Sequence, residues 1–143
     1  MRDIHHNIGT ELAIAPAAYD ADHTGPAIDR IGFNGVALAI MVGVGGVTFN
    51  GSNKIEFKLQ HSDAADSGFE AVSQADVQGV TVATGGIVRA LTAAHAEPSR
   101  TRLGYVGPRR YVRLFADFSG THGTPTPLSA LAILGSPNNA PVA

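Results

Sequence analysis

A chain of 143 residues, 44% of them hydrophobic, has the size of one domain and enough apolar material for a core. It has no cysteine, which excludes disulfides and thiolate metal sites, and its formal charge of −2 gives no general attraction to nucleic acid. Seventeen glycines and a charged fraction of 15%, against roughly 25% in ordinary soluble domains, fit a β-rich chain with many turns and a surface partly covered by partners.

The opening Met1-Arg-Asp-Ile-His-His-Asn lacks the apolar core of a signal peptide, so assembly in the cytoplasm is expected. Thr10–Ile14 reads as a first short strand that Ala15-Pro16 ends, and 20–26 is rich in turn residues. Ala27–Ile31 is a short strand, and Asn34-Gly35 is a turn signal. In Val36–Val44, Val36, Leu38, Ile40, Val42 and Val44 point one way, and Ala37, Ala39, Met41 and Gly43 the other. This predicts a central strand with its bulky face in the core and its small face against a loop or a neighbouring subunit. No charge occurs from Ile31 to Asn53, but repeated Gly and Asn leave only about nine continuously apolar residues, too few for a helical membrane span.

Lys54–His61 alternates strictly, with Ile55, Phe57 and Leu59 inward. A turn at 62–68 and an edge strand from Phe69 to Val72 follow; 73–86 is irregular. Ile87–Leu91 is a strand, and 92–99 reads as a loop or a single helical turn. Arg102–Val106 and Arg110–Phe118 flank Gly107-Pro108-Arg109 in the manner of a hairpin. A polar loop at 120–127 precedes a last strand, Leu128–Leu134, and a Pro- and Asn-rich tail. These elements predict a single all-β domain over 1–143: an antiparallel β-sandwich, jelly-roll-like, of seven to nine short strands. Residues 1–9 and 136–143 are expected to be extended N- and C-terminal arms.

Charge is uneven along the chain. Residues 1–78 hold ten acids and four bases, a net −6, and residues 79–143 hold two acids and six bases, a net +4. Either copies or partners meet through this polarity, or the halves interleave and cancel it. No catalytic constellation emerges. Gly43-Val-Gly-Gly46 lacks the rest of a nucleotide loop, and no Gly-x-Ser-x-Gly elbow occurs. The six histidines do not fall at metal-ligand spacing, and Asp63 and Asp66 read as an acidic turn rather than a calcium loop. The arginines at 100–113 alternate with core positions, so they read as a solvated or interface strand face rather than a nucleic-acid site.

The Lys54–Phe69 segment followed by Arg110-Tyr-Val-Arg-Leu114 resembles a strand pattern of discoidin-like and other galactose-binding-like domains. A longer resemblance runs over most of 27–142. It comprises Ala27-Ile-Asp-Arg-Ile-Gly-Phe33, Val36–Val44, Lys58-Leu-Gln-His-Ser-Asp63, Leu103-Gly-Tyr-Val-Gly-Pro-Arg-Arg-Tyr-Val-Arg113 and Ala132-Ile-Leu-Gly-Ser-Pro-Asn-Asn-Ala-Pro-Val142. In this order the chain resembles small virion proteins of tailed phages and gene transfer agents. It departs from their pattern at 63–68, where Asp-Ala-Ala-Asp-Ser-Gly replaces a tighter turn.

The resemblance implies a non-enzymatic capsid cement or decoration protein on the outer surface of the virion head. It would be assembled in the host cytoplasm, with the major capsid protein as partner and a homotrimer as the oligomer. No cofactor, metal, nucleic acid, membrane or small-molecule ligand is expected. Other readings are a tail or head-tail component and a carbohydrate-binding β-sandwich module. The expected partner contacts are Arg2, Ile4, His5 and His6 in the N-terminal arm, and Arg100, Arg102, Arg109, Arg110 and Arg113 around the hairpin. Pro137, Asn138 and Asn139 in the C-terminal arm complete the set, with the loops at 73–86 and 119–127 beside them.

Overall fold

The computed structural model describes residues 2–142. Eleven strands form two antiparallel sheets, and the described residues contain no α-helix, only 3₁₀ turns at His5–Asn7 and Gln74–Asp76. One sheet has the order β1 (Ile8–Tyr19), β11 (Thr126–Pro137), β4 (Phe33–Val42), β9 (Ser99–Tyr105), β7 (Val77–Gln78). The other is built on β10 (Tyr111–Ser119) and β5 (Lys54–Ser62). The short strands β2 (His23–Thr24) and β3 (Ile28–Asp29) flank β10, and β6 (Glu70–Ala71) and β8 (Ile87–Leu91) flank β5.

All connections except β2–β3 and β5–β6 change sheet. The chain passes from β1 to β2 and β3 in the second sheet, back to β4, across to β5 and β6, back to β7, across to β8, then to β9, β10 and β11 by turns. Two antiparallel layers filled in this interleaved order are jelly-roll-like. Alternation drives the packing. Ile55, Phe57 and Leu59 of β5 meet Val112 and Leu114 of β10, and all are fully buried. Facing them are Leu38, Ile40 and Val42 of β4, Leu103 of β9, and Ile14 of β1. Each such side chain contributes about 1.5–3 kcal/mol through loss of apolar surface from water.

Four expectations are corrected. The segment 102–118 is not a hairpin: β9 belongs to one sheet and β10 to the other, and Gly107-Pro108-Arg109 carries the chain across. The crossing is tight because the Tyr105 ring folds under it; a Cβ on Gly107 would lie 2.5 Å from the Tyr105 hydroxyl. Pro16 does not end the first strand. β1 runs on to Tyr19 as an edge strand, and register shifts between Leu12 and Ala17 take up the missing N–H of Pro16. Asn34-Gly35 is not a turn but part of β4; the turn lies earlier, with Phe33 N–H donating to Arg30 O around Gly32 at φ +86°.

The termini, lastly, are not free extended arms. Ile8 and Gly9 are strand residues of β1, and Ser136 and Pro137 of β11. Val142 N–H donates to His6 O, and Asn138 N–H to Gly32 O. Antiparallel pairing of the first and last long strands brings the two ends together, and backbone bonds hold them there.

Candidate interaction surface

The two sheets present opposite outer faces. On the β10–β5 sheet the outward residues are mostly polar and paired with one another, with Phe115 standing among them opposite Lys58. Lys58 Nζ donates to Asp117 at 2.6 Å, Arg113 Nε donates to Gln60 at 2.7 Å, and the Arg113 guanidinium lies 3.9 Å over the Phe69 ring. Lys54 pairs with Glu56 along β5. The bond to Asp117 holds the Lys58 ammonium above its ordinary pKa.

On the five-stranded sheet the outward residues are mostly apolar. Registration places Thr10, Ile133, Ala37 and Gly104 in one row, Leu12, Leu131, Ala39 and Arg102 in the next, and Ser129, Met41 and Arg100 in a third. Leu12 is 51% exposed and Met41 41%. Leu131 and Ile133 are half-buried, although no other element covers that side. Ala37 and Ala39 floor a shallow hollow of about 450 Å³ between Ile133 on one flank and Arg100 and Arg102 on the other. A contiguous apolar sheet face in water marks a contact surface.

The expected contact residues divide by environment. Arg109 pairs with Asp63 and approaches Glu70 at 3.8 Å. Arg110 grips Asp29 through two bonds of 2.9 and 2.7 Å. These contacts hold the Asp29 and Asp63 carboxyls below their ordinary range, the side-chain bond to the arginine being the main cause in each. Arg109, Arg110 and Arg113 therefore tie the sandwich to its own loops. Arg100 and Arg102, both exposed, have no acidic partner among the described residues and lie along the apolar face. The charge imbalance along the chain is thus partly cancelled in space, since acids of the first half meet arginines of the second.

The terminal contacts gather at one end. His6 Nδ1 pairs with Asp3 at 2.8 Å, and backbone bonds lower the Asp3 carboxyl first, its side-chain bond to His6 second. Asn34 Nδ2 donates to Asn138 Oδ1 at 2.8 Å. Ile4 and Ile31, 61% and 65% exposed, add apolar surface to the same end. Arg2, His5 and Asn139 are exposed there, and Pro137 is half-buried.

Inside the sandwich a buried polar bond joins the sheets, in addition to the half-buried donation of the Arg89 guanidinium on β8 to Ser99 Oγ on β9. The Tyr105 hydroxyl of β9, accepting from Arg109 N–H at 3.2 Å, lies 2.8 Å from His61 Nδ1 of β5. Burial raises the Tyr105 pKa, so the group is a neutral tie between layers. Asp22 accepts from Phe118 N–H, and His23 stacks on Tyr19; both belong to the packing of β2. No group of three His, Asp or Glu at metal-binding proximity occurs among the described residues.

Sequence reasoning set the small face of β4 against a loop or a neighbouring subunit but missed Leu12, Leu131 and Ile133 beside it. Their signal was present: 128–134 is apolar at both parities, as in a strand covered on two sides.

No protein family and no curated protein matches the sequence. Among solved structures, a chain from the disulfide-linked pili of Bacillus endospore appendages is 12% identical. The match spans 90% of this chain and 88% of that one, with a TM-score of 0.41, too distant a likeness to inform this chain's role.

Proposed function

We propose that the chain is a non-enzymatic structural protein of a virion, a capsid cement or decoration protein that binds the outer surface of the head and stabilises contacts between major capsid subunits. The observation that carries this reading is the apolar outer face of the five-stranded sheet, which a lone copy leaves to water. A protein with such a face works by being covered. The resemblance of residues 27–142 to small virion proteins supplies the setting. The end of the sandwich holding Ile4, Ile31 and the paired termini is the surface proposed for the shell, since it joins exposed apolar side chains to a backbone held by bonds between the two ends.

Cosedimentation of the purified protein with capsids lacking it tests this. Saturable binding that raises the temperature of DNA release is the expected result. Absence of binding at saturating protein would overturn the reading.

A further inference from the structure

We infer that the apolar face of the five-stranded sheet is a self-association surface, closed by a second copy of this chain related by a two-fold axis. The inference deepens the reading of the chain as an assembly subunit and rests on it.

The argument begins with side-chain size. Along β11 the outward residues run Ser129, Leu131, Ile133: small, large, large. Their registered neighbours on β4 run Met41, Ala39, Ala37: large, small, small. The face therefore carries a ridge on one strand and a trough on the next, with the order reversed at one end. Place a two-fold axis in the plane of contact, parallel to the strands and between β11 and β4. Rotation lays each β11 over the β4 of the second copy and keeps the rows. Leu131 then faces Ala39 of the second copy, Ile133 faces Ala37, and Ser129 faces Met41. Every large side chain meets a small one, on both halves of the contact, because a two-fold surface must be complementary to itself. Two sheets packed in this way, aligned within about 30°, bury their facing residues as a sandwich core does.

The flanking strands follow the same arrangement. The rotation brings β1 over β9 of the second copy, so Leu12 lies on the aliphatic stem of Arg102. Glu11 pairs in register with buried Ala132 and so points to the other side of the sheet, away from this contact. The guanidiniums of Arg100 and Arg102 have no acid. A shell protein as occupant would have to reproduce the ridge and trough of β11 and β4; a second copy already holds them. The contact is isologous and yields a dimer, in place of the trimer that the resemblance implies.

Sedimentation velocity on the full chain from about 1 µM to about 500 µM reads the state directly. A monomer–dimer equilibrium is expected. Ala39→Arg fills the trough and weakens it at least about tenfold. Leu12→Arg, at an exposed position, sets like charge against Arg102 of the second copy and weakens the dimer, and adding Arg102→Glu restores it. A monomer at every concentration, a trimer, or a dimer indifferent to both the Ala39 and the Leu12 variants overturns the inference. The same samples are added to capsids lacking the protein. Wild-type monomer that still saturates capsids sinks the two-fold contact and leaves the cement reading standing. A dimer sensitive to these variants that ignores capsids supports the contact and sinks that reading.

Discussion

The outer faces of the two sheets are made from the same alternation and end in opposite states. On the β10–β5 sheet the outward positions are polar except for Phe115, and the charges find partners across strands: Lys58 with Asp117, Arg113 with Gln60. On the five-stranded sheet the corresponding positions are Leu, Ile, Ala and Met, and the two arginines beside them remain unpaired among the described residues. Fold stability does not require this difference, because both inner faces already form one core. The contrast separates what holds the molecule together from what it offers to others. A jelly roll needs one apolar face per sheet; a second apolar face on one sheet is surplus to folding and belongs to contact.

The largest effect tests the shared core. Phe57 is fully buried on β5 between the sheets. Phe57→Ala should cost about 3–5 kcal/mol through lost burial and the cavity left behind. Denaturant unfolding followed by both fluorescence and circular dichroism should shift in one cooperative step. Two separated transitions would mean that the sheets melt independently, and the comparison of faces would then be one between two modules.

Tyr105→Phe comes next. It removes the one side-chain bond between His61 and the opposite sheet and leaves His61 Nδ1 and the Arg109 N–H without their partner. A loss of about 1–2 kcal/mol is expected from orphaned buried groups, measured by the same unfolding curves. No loss would show that water replaces the hydroxyl and that the interlayer tie is packing alone.

The strands themselves were legible where a local pattern decides them. The strict alternation of Lys54–His61 fixes β5, and Ile87–Leu91 matches β8 to the residue. What eluded the sequence is set by distant partners. Gly107-Pro108-Arg109 carries a hairpin signal, yet Leu103 and Tyr105 pair with Leu38 and Val36 of β4, over 60 residues away, while Leu114 pairs with Leu59 of β5. The choice of sheet is made by those non-local pairs, not by the turn. Likewise five arginines within 14 positions look alike until Asp29 and Asp63 are placed; their separations of 81 and 46 residues along the chain hide which arginines are spent internally. The contact face was half legible. The small parity of Val36–Val44 pointed to a loop or a neighbouring subunit, and Thr10–Ile14 was legible as a strand, but that Leu12 lies on the same face is set by its pairing with Leu131 of β11, far along the chain.

A smaller effect separates the internally paired arginines from the free ones. Asp29 is held by Arg110, and its folded pKa lies below the unfolded value of about 3.9. The sign follows: the stabilisation is present above the unfolded value and is lost as pH falls through the folded one. Asp29→Asn should therefore lower stability by about 0.5 kcal/mol at pH 7, a discounted figure because both partners are partly exposed. Its melting temperature should converge with that of the unaltered protein once pH falls below the folded value of Asp29. A difference that persists in acid would assign the effect to the Asp29 bond with Ile31 N–H instead.

The smallest effect on stability is the sharpest test of the contrast itself. Met41 sits on the apolar face and is 41% exposed. Lys58 occupies the equivalent outward position on the other sheet and is paired. Met41→Lys should change unfolding free energy by less than about 0.5 kcal/mol, since it removes no core contact. Its effect should appear in solution behaviour: binding of a hydrophobic dye to the native protein should fall, and the salt-induced precipitation threshold should rise. Lys58→Met is the mirror change. It leaves Asp117 without its cation, so it should lower stability modestly while adding apolar surface beside Phe115, its cross-strand neighbour. If Met41→Lys destabilises the fold as much as Lys58→Met, the apolar face is structural after all; if dye binding alone responds, the surplus apolar face is held for contact.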